Sequence, residues 1–229
     1  MSSTLVFCTS YMRDKAEWEL RYIRWLEHHR KVFPEEPLVM IDDGSEYLPD
    51  EPGISINTDM ENFQVGSRAS IFHFPDRVGR LAMHNFPGWF RSFTFSIVIA
   101  KKLNLKKIVH IESDAFILSE PALKNINSTS SGWIAFWCPR WRVPESAFQI
   151  ICEDNFVSLE QVRASSFTDR YANRVMEKAL PFTLVDKSLC GNRYGGFRKK
   201  VPSYADFAAQ VNPDMKFVSD FGYFPAFLL

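Results

Sequence analysis

The sequence predicts an α/β domain with a largely parallel sheet, and three observations carry that expectation. Short apolar, β-rich runs alternate with helical periodicity in the order strand, helix, strand, loops, helix, strand. Three of the strand runs end in polar clusters, Thr9-Ser10-Tyr11, Asp42-Asp43 and Glu112-Ser113-Asp114. The chain has 229 residues, 46% of them hydrophobic, enough for one substantial core, and no long linker or internal repeat divides it.

Taken in order, "TLVFCTSY" (4–11) reads as a first strand with a polar tip. "DKAEWELRYIRWLEHHRKVF" (14–33) is a helix opened by an Asp14/Glu17 capping box. Trp18, Tyr22, Trp25, Leu26 and Phe33 share its inner face, His28 and His29 fall on an exposed part, and Pro34 ends it. "PLVMIDDGS" (37–45) is a second strand running into a turn. Residues 46–88 read as loops with one further strand near "SIFHF". "GWFRSFTFSIVIAKKLNL" (88–105) is apolar around most of its circumference and reads as a buried helix. "KIVHIESDAFI" (107–117) then reads as a strand buried on both faces.

The second half is less regular. "GWIAFW" (132–137) is a strand, "CPRWRVPE" (138–145) a loop, "RYANRVMEKAL" (170–180) a helix and "FTLVDK" (182–187) a strand. "SLCGNRYGGFRKK" (188–200) is a Gly-rich basic loop, either one that closes over a diphosphate or a solvated surface loop, and "FGYFPAFLL" is an apolar tail.

Composition narrows the partners. Lys plus Arg and Asp plus Glu are both 27, so no general field draws the chain to nucleic acid or an acidic membrane, and nucleic acid is not expected as a partner. Aromatics at 15% suit a packed core with some flat faces for rings or sugars. Four dispersed cysteines without a CxxC pair point to reduced thiols. No leader-like segment and no transmembrane stretch is read, so a cytoplasmic protein is expected.

The acidic pair Glu112/Asp114 carries the most chemistry. Carboxylates two residues apart at a strand end can both reach one ion, and hard oxygen donors suit Mg²⁺ or Mn²⁺ holding phosphate oxygens. In parallel sheets, ligands collect at the carboxyl ends of strands.

A polar-tipped first strand, then "VMIDDGS" (39–45), then a helix feeding a strand that ends in acid-x-acid, resembles the GT-A-fold glycosyltransferases over roughly residues 4 to 118. The resemblance implies a single GT-A (Rossmann-like) domain over 1–229, its mostly parallel central sheet flanked by helices. Residues 1–118 would be the nucleotide-sugar half and 119–229 the acceptor half. It implies metal-assisted hexosyl transfer, with Mn²⁺ or Mg²⁺, from a nucleoside diphosphate sugar (a UDP-sugar first) to a hydroxyl of a glycan or glycoconjugate. In that family the acid-x-acid motif holds the metal on the diphosphate. It stands here as Glu112-Ser113-Asp114, with Asp114 a metal ligand and Glu112 on metal, sugar or ribose. Asp42 or Asp43 would contact the base, and Thr9, Ser10 and Tyr11 would line the base and ribose pocket.

The other candidates come from residue chemistry. Arg91, in an apolar helix, needs a phosphate or a carboxylate such as Asp42 or Asp43. Arg13 is a phosphate contact or a solvated residue. Glu153 and Asp154 follow an apolar run and are the candidate base, with a helix cap at Asp154 as the other reading. Trp141 offers its ring to an acceptor sugar, Trp137 either does the same or packs in the core, and Asp220 is a possible further metal ligand. An inactive sugar- or protein-binding module on the same scaffold is the alternative to an enzyme.

Overall fold

The computed structural model describes residues 3–82, 84–165, 167, 171 and 174–224. The chain opens with β1 (Thr4–Ser10). A helix follows in three parts: α1 (Lys15–Glu17), a π-helical turn (Trp18–Tyr22) and α2 (Ile23–Val32). Next come β2 (Leu38–Asp42), β3 (Ile54–Asn57), β4 (Ala69–His73), α3 (Pro87–Lys102) and β5 (Lys107–Ile111). β6 (Phe116–Ile117), α4 (Glu120–Ser128), β7 (Trp133–Cys138), β8 (Val143–Cys152), a 3₁₀ turn (Glu153–Asn155) and α5 (Phe156–Ala164) continue the chain. It closes with α6 (Met176–Ala179), β9 (Leu184–Asp186), β10 (Gly191–Arg193), β11 (Phe207–Ala209), β12 (Phe217–Ser219) and β13 (Gly222–Phe224).

Eight strands form the central sheet in the order β3-β4-β2-β1-β5-β8-β7-β9. The ladders from β3 through β5 are parallel, β8 runs antiparallel between β5 and β7, and β9 is parallel to β7. The apolar runs of β1, β2 and β5 are continuous because both faces are covered. Leu5, Phe7, Val39, Ile41 and Ile108 point to α3 and α5. Val6, Cys8, Leu38, Met40, Val109 and Ile111 point to α2. The mostly parallel α/β architecture expected from the sequence is what the chain adopts.

Several expectations are corrected. The segment 46–88 contains two strands, β3 and β4, both completing the parallel edge. The run 107–117 is not one strand: β5 stops at Ile111, and Ala115 N–H closes a turn on the Glu112 carbonyl at 2.8 Å. β6 then joins a separate three-stranded sheet with β11 and β10. "CPRWRVPE" is a short turn followed by the start of β8, which pairs with β7 across a bulge. The basic loop contains β10. The helix read over 170–180 is described only as α6, and part of it lies outside the described residues; so does the end of the apolar tail, 225–229.

His28 and His29 are fully buried rather than exposed. Trp25 packs against His29 at a tilt, while Phe116 stacks on His29 and meets His28 edge-on. His28 Nε2 lies on the Ile117 carbonyl at 2.5 Å, and His29 Nδ1 on the Trp25 carbonyl at 2.9 Å. The extra residue of the π turn shifts the helical phase, and the small sheet covers a second face. Burial pulls the His28 pKa down to about 3 and His29 well below its ordinary value. Both are therefore neutral when folded, while the unfolded chain takes up protons near pH 6.5. A histidine lowered on folding costs stability as pH falls from the unfolded value toward the folded one. Below about pH 6 the loss approaches about 1.4 kcal/mol per pH unit for each histidine. Thermal melts across pH 7.5 to 5 check this: His29→Phe is expected to flatten the slope by about half. An unchanged slope would mean that these two side chains do not set it.

Candidate functional site

The carboxyl ends of β1, β2 and β5 open on a cleft of about 720 Å³. Residues 9–11, Asp43 and 112–114 line one side; Glu145–Ala147, Glu177 and Arg193 line the other. Arg21, Arg77, Arg80 and Arg174 add positive charge, and Trp89 and Phe86 add apolar surface. The three polar strand tips noted in the sequence thus converge on one cavity.

Local structure explains how each tip is held. Trp25 Nε1 donates to the Ile111 carbonyl at 3.0 Å, tying α2 to the last residue of β5. The Tyr22 hydroxyl bridges the backbone N–H and carbonyl of Tyr11 at 3.0 Å each. Arg21 Nε donates to Ser113 Oγ at 2.7 Å, and its Nη2 reaches Asp114 Oδ2 at 3.2 Å. Arg77 stacks on the Tyr11 ring, 3.7 Å from its centroid.

The two motif carboxylates differ sharply. Glu112 accepts from Thr9 Oγ1 at 2.9 and 3.0 Å, from His110 Nε2 at 2.9 Å and from Trp89 Nε1. Burial pushes its pKa up, but His110 beside it and these hydrogen bonds together hold the carboxyl below its ordinary range. Asp114 has Arg21 as its ion-pair partner, and its side chain is 32% exposed to the cleft. Its pKa is raised: burial is the main cause, Arg21 opposes it, and Glu112 and Glu145 add to it.

This difference decides the fit to a divalent cation. Among the described residues no group of three His, Cys, Asp or Glu could hold a metal by itself. Glu112 fits less well, because its Oε1 is taken up by Trp89 and His110 and the Thr9 hydroxyl lies across both oxygens, leaving Oε2 with that one donor. Asp114 does fit a cation that arrives with phosphate oxygens of its own, for which one carboxylate suffices.

Other candidates are placed elsewhere. Asp42 is fully buried, holding Ser10 Oγ at 3.1 Å, Ser45 and His73 Nδ1 at 2.8 Å. Asp43 does line the cleft, but its carboxylate is engaged by Arg91 and by Gly79 N–H at 2.7 Å, pinning the 76–80 loop. Arg91 is thus the internal partner of Asp43 and Asp76, not a cleft residue. Arg13 pairs with Glu17 on the surface.

Glu153 and Asp154 are corrected outright as site residues. Cys152 pairs with Lys107 at the start of β5, so both acids sit at the opposite end of the sheet from Glu112. Glu153 pairs with Lys106 there, and Asp154 accepts Gly132 N–H at 3.0 Å instead of capping α5. Asp220 accepts the Glu120 N–H at 3.1 Å, at the start of α4.

Sequence reasoning missed Arg21, Trp89, Glu145 and Glu177. Glu145 is buried at the bulge in β8. It receives Arg193 Nε at 2.6 Å and Nη2 at 3.1 Å, Ala147 N–H at 2.9 Å and the Cys138 thiol at 3.3 Å. Glu177 Oε1 is shared by Arg193 and Ser146 Oγ, and its Oε2 accepts nothing from the described residues. A signal existed for Arg21, since it lies one turn from both Trp18 and Trp25 at the rim of the buried helical face.

No family model matches the chain, and no curated protein matches it. Among solved structures it is similar to a glycosyltransferase involved in the glycosylation of the major capsid of PBCV-1. The identity is 9%, over 91% of this chain and 94% of that one, with a TM-score of 0.47.

Proposed function

We propose that the chain is a GT-A-like glycosyltransferase that moves a hexosyl group from a nucleoside diphosphate sugar, a UDP-sugar first, to a hydroxyl of a glycan or glycoconjugate. The observation that carries this reading is the convergence of Tyr11, Ser113 and Asp114 with Arg21 at the carboxyl edge of parallel strands, in a cleft large enough for such a donor.

Within it, Thr9, Ser10 and Tyr11 face the nucleoside, with Arg77 closing over the Tyr11 ring. Arg21 and Ser113 face the diphosphate, where a fixed guanidinium stabilises charge developing on the leaving group. Asp114 would hold Mn²⁺ or Mg²⁺, which when bound supplies Lewis-acid neutralisation of the diphosphate. Glu112, gripped by Thr9, His110 and Trp89, positions the strand end rather than binding the ion. On the acceptor side Glu177, which lines the cleft and whose Oε2 accepts nothing from the described residues, takes the role of base that Glu153 and Asp154 cannot reach.

Thermal-shift titration with UDP, GDP and their sugars, with and without Mn²⁺, tests the reading. Stabilisation by a nucleotide, growing with concentration and increased by Mn²⁺, is expected. No response to any nucleotide would leave the binding-module alternative. Glu177→Gln is expected to keep the nucleotide response while transfer falls about 100-fold; unchanged transfer would remove Glu177 as base.

A further inference from the structure

Beyond the cleft wall formed by Arg193, two segments pack together. The turn 139–142 joins β7 to β8, and the loop 194–200 follows β10. Trp141 Nε1 donates to the Arg193 carbonyl at 3.4 Å, and a Cβ built on Gly196 would lie 3.5 Å from the indole. The indole is thus backed by the loop yet remains 47% exposed. Arg140 lies over the Phe197 ring at 4.2 Å.

These two segments carry Arg140, Arg142, Arg198, Lys199 and Lys200, all exposed, and neither contains an acidic residue. Among the described residues none of these five is in an ion pair. These two segments therefore place five exposed cations, with no carboxylate of their own among them, beside the cleft residue Arg193.

We infer that this surface is an acceptor subsite for an anionic glycan, with Trp141 as the stacking platform and the cations of the two segments reading carboxylate, sulfate or phosphate groups. The word "acceptor" rests on the transferase reading; the ligand class does not. Three features favour a glycan over other polyanions. A flat, backed indole face matches the apolar face of a pyranose. The platform adjoins Arg193, whose side chain lines the cleft, so a bound chain would continue toward the reacting centre. The chain's net charge of zero gives no long-range pull toward nucleic acid, and one exposed ring buries too little to hold a membrane.

The experiment measures binding of oligogalacturonate, a heparin hexasaccharide and neutral cellohexaose by isothermal titration calorimetry. Single-stranded RNA and vesicles containing phosphatidylserine serve as further arms. At least one acidic oligosaccharide is expected to bind, weakening about five-fold or more as salt rises through the range where the Debye length shrinks. Trp141→Ala is expected to weaken it about ten-fold. The triple variant Arg140→Gln, Arg142→Asn, Lys199→Gln should do the same with the ring retained; Asn suits the positive φ of 53° at Arg142. Both variants should keep the nucleotide-dependent thermal shift. Equal binding of cellohexaose, no binding of either acidic glycan, tighter binding of RNA or vesicles, or indifference to both variants would overturn the inference. Nucleotide response with no acidic-glycan binding removes this subsite alone. Acidic-glycan binding with no nucleotide response removes the transferase reading and leaves the surface standing.

Discussion

Asp114→Asn is expected to reduce sugar transfer by about 100- to 1000-fold, the range seen when one charge-stabilising group is removed from a polar reaction centre. The fold should survive unharmed. Asn keeps the volume of the side chain, which is 32% exposed and, among the described residues, ion-paired to Arg21 alone. Burial, with Glu112 and Glu145 nearby, raises the Asp114 pKa against the pull of Arg21, so ionising it is harder in the folded chain than in the unfolded one. For a carboxyl raised on folding, the stability it adds is present at low pH and lost as pH rises through the folded value. Its charge is thus costly by itself but supports Arg21, whose pKa it raises, so Asn should leave the melting temperature little changed. Asp154→Asn, at the other end of the sheet, serves as the control and should not alter turnover. Turnover of Asp114→Asn within about three-fold of wild type would sink the placement of the reacting diphosphate at this carboxylate.

The contrast between Asp114 and Asp154 marks what the sequence made legible. β1, β2, α3 and β5 announce themselves because burial on both faces demands unbroken apolar runs, and parallel order follows from their alternation with helices. The polar tips were legible as neighbours for the same reason: parallel order puts the carboxyl ends of β1, β2 and β5 at one edge of the sheet. Glu153 and Asp154 show where this logic fails. They too follow an apolar run, but β8 is antiparallel, so its carboxyl end points away from the cleft. Strand direction is a property of long-range pairing that local composition does not encode. Likewise, the roles of Glu112 and Glu145 depend on partners distant in the chain: Thr9 is 103 residues from Glu112, and Arg193 is 48 from Glu145. His28 and His29 were misplaced because a π turn broke the helical period and a second sheet covered a face that periodicity leaves outside.

Arg193→Met is expected to destabilise the chain by about 3–5 kcal/mol, the cost of leaving a buried carboxylate without its cation. In a chain of this size that corresponds to roughly 10 °C in melting temperature. Glu145 is 2% exposed by side chain and Glu177 11%, and the single guanidinium serves both. The two carboxylates hold the Arg193 pKa above its ordinary value despite burial, so the cation is permanent, and Met of similar length fills its space without replacing its charge. Arg193→Lys should recover less than half of the loss, because an ammonium cannot span two oxygens of Glu145 and also reach Glu177. Glu145→Gln added to Arg193→Met should restore part of the stability by removing the stranded charge. A loss below about 1 kcal/mol, or no coupling between the two positions, would show that the cluster is solvated in the working protein. The same substitution carries a functional signature. Arg193 joins the bulged start of β8 to β10 and α6, and its carbonyl receives Trp141. Loosening it should weaken acidic-oligosaccharide binding and transfer together while nucleotide binding on the β1–β5 side persists.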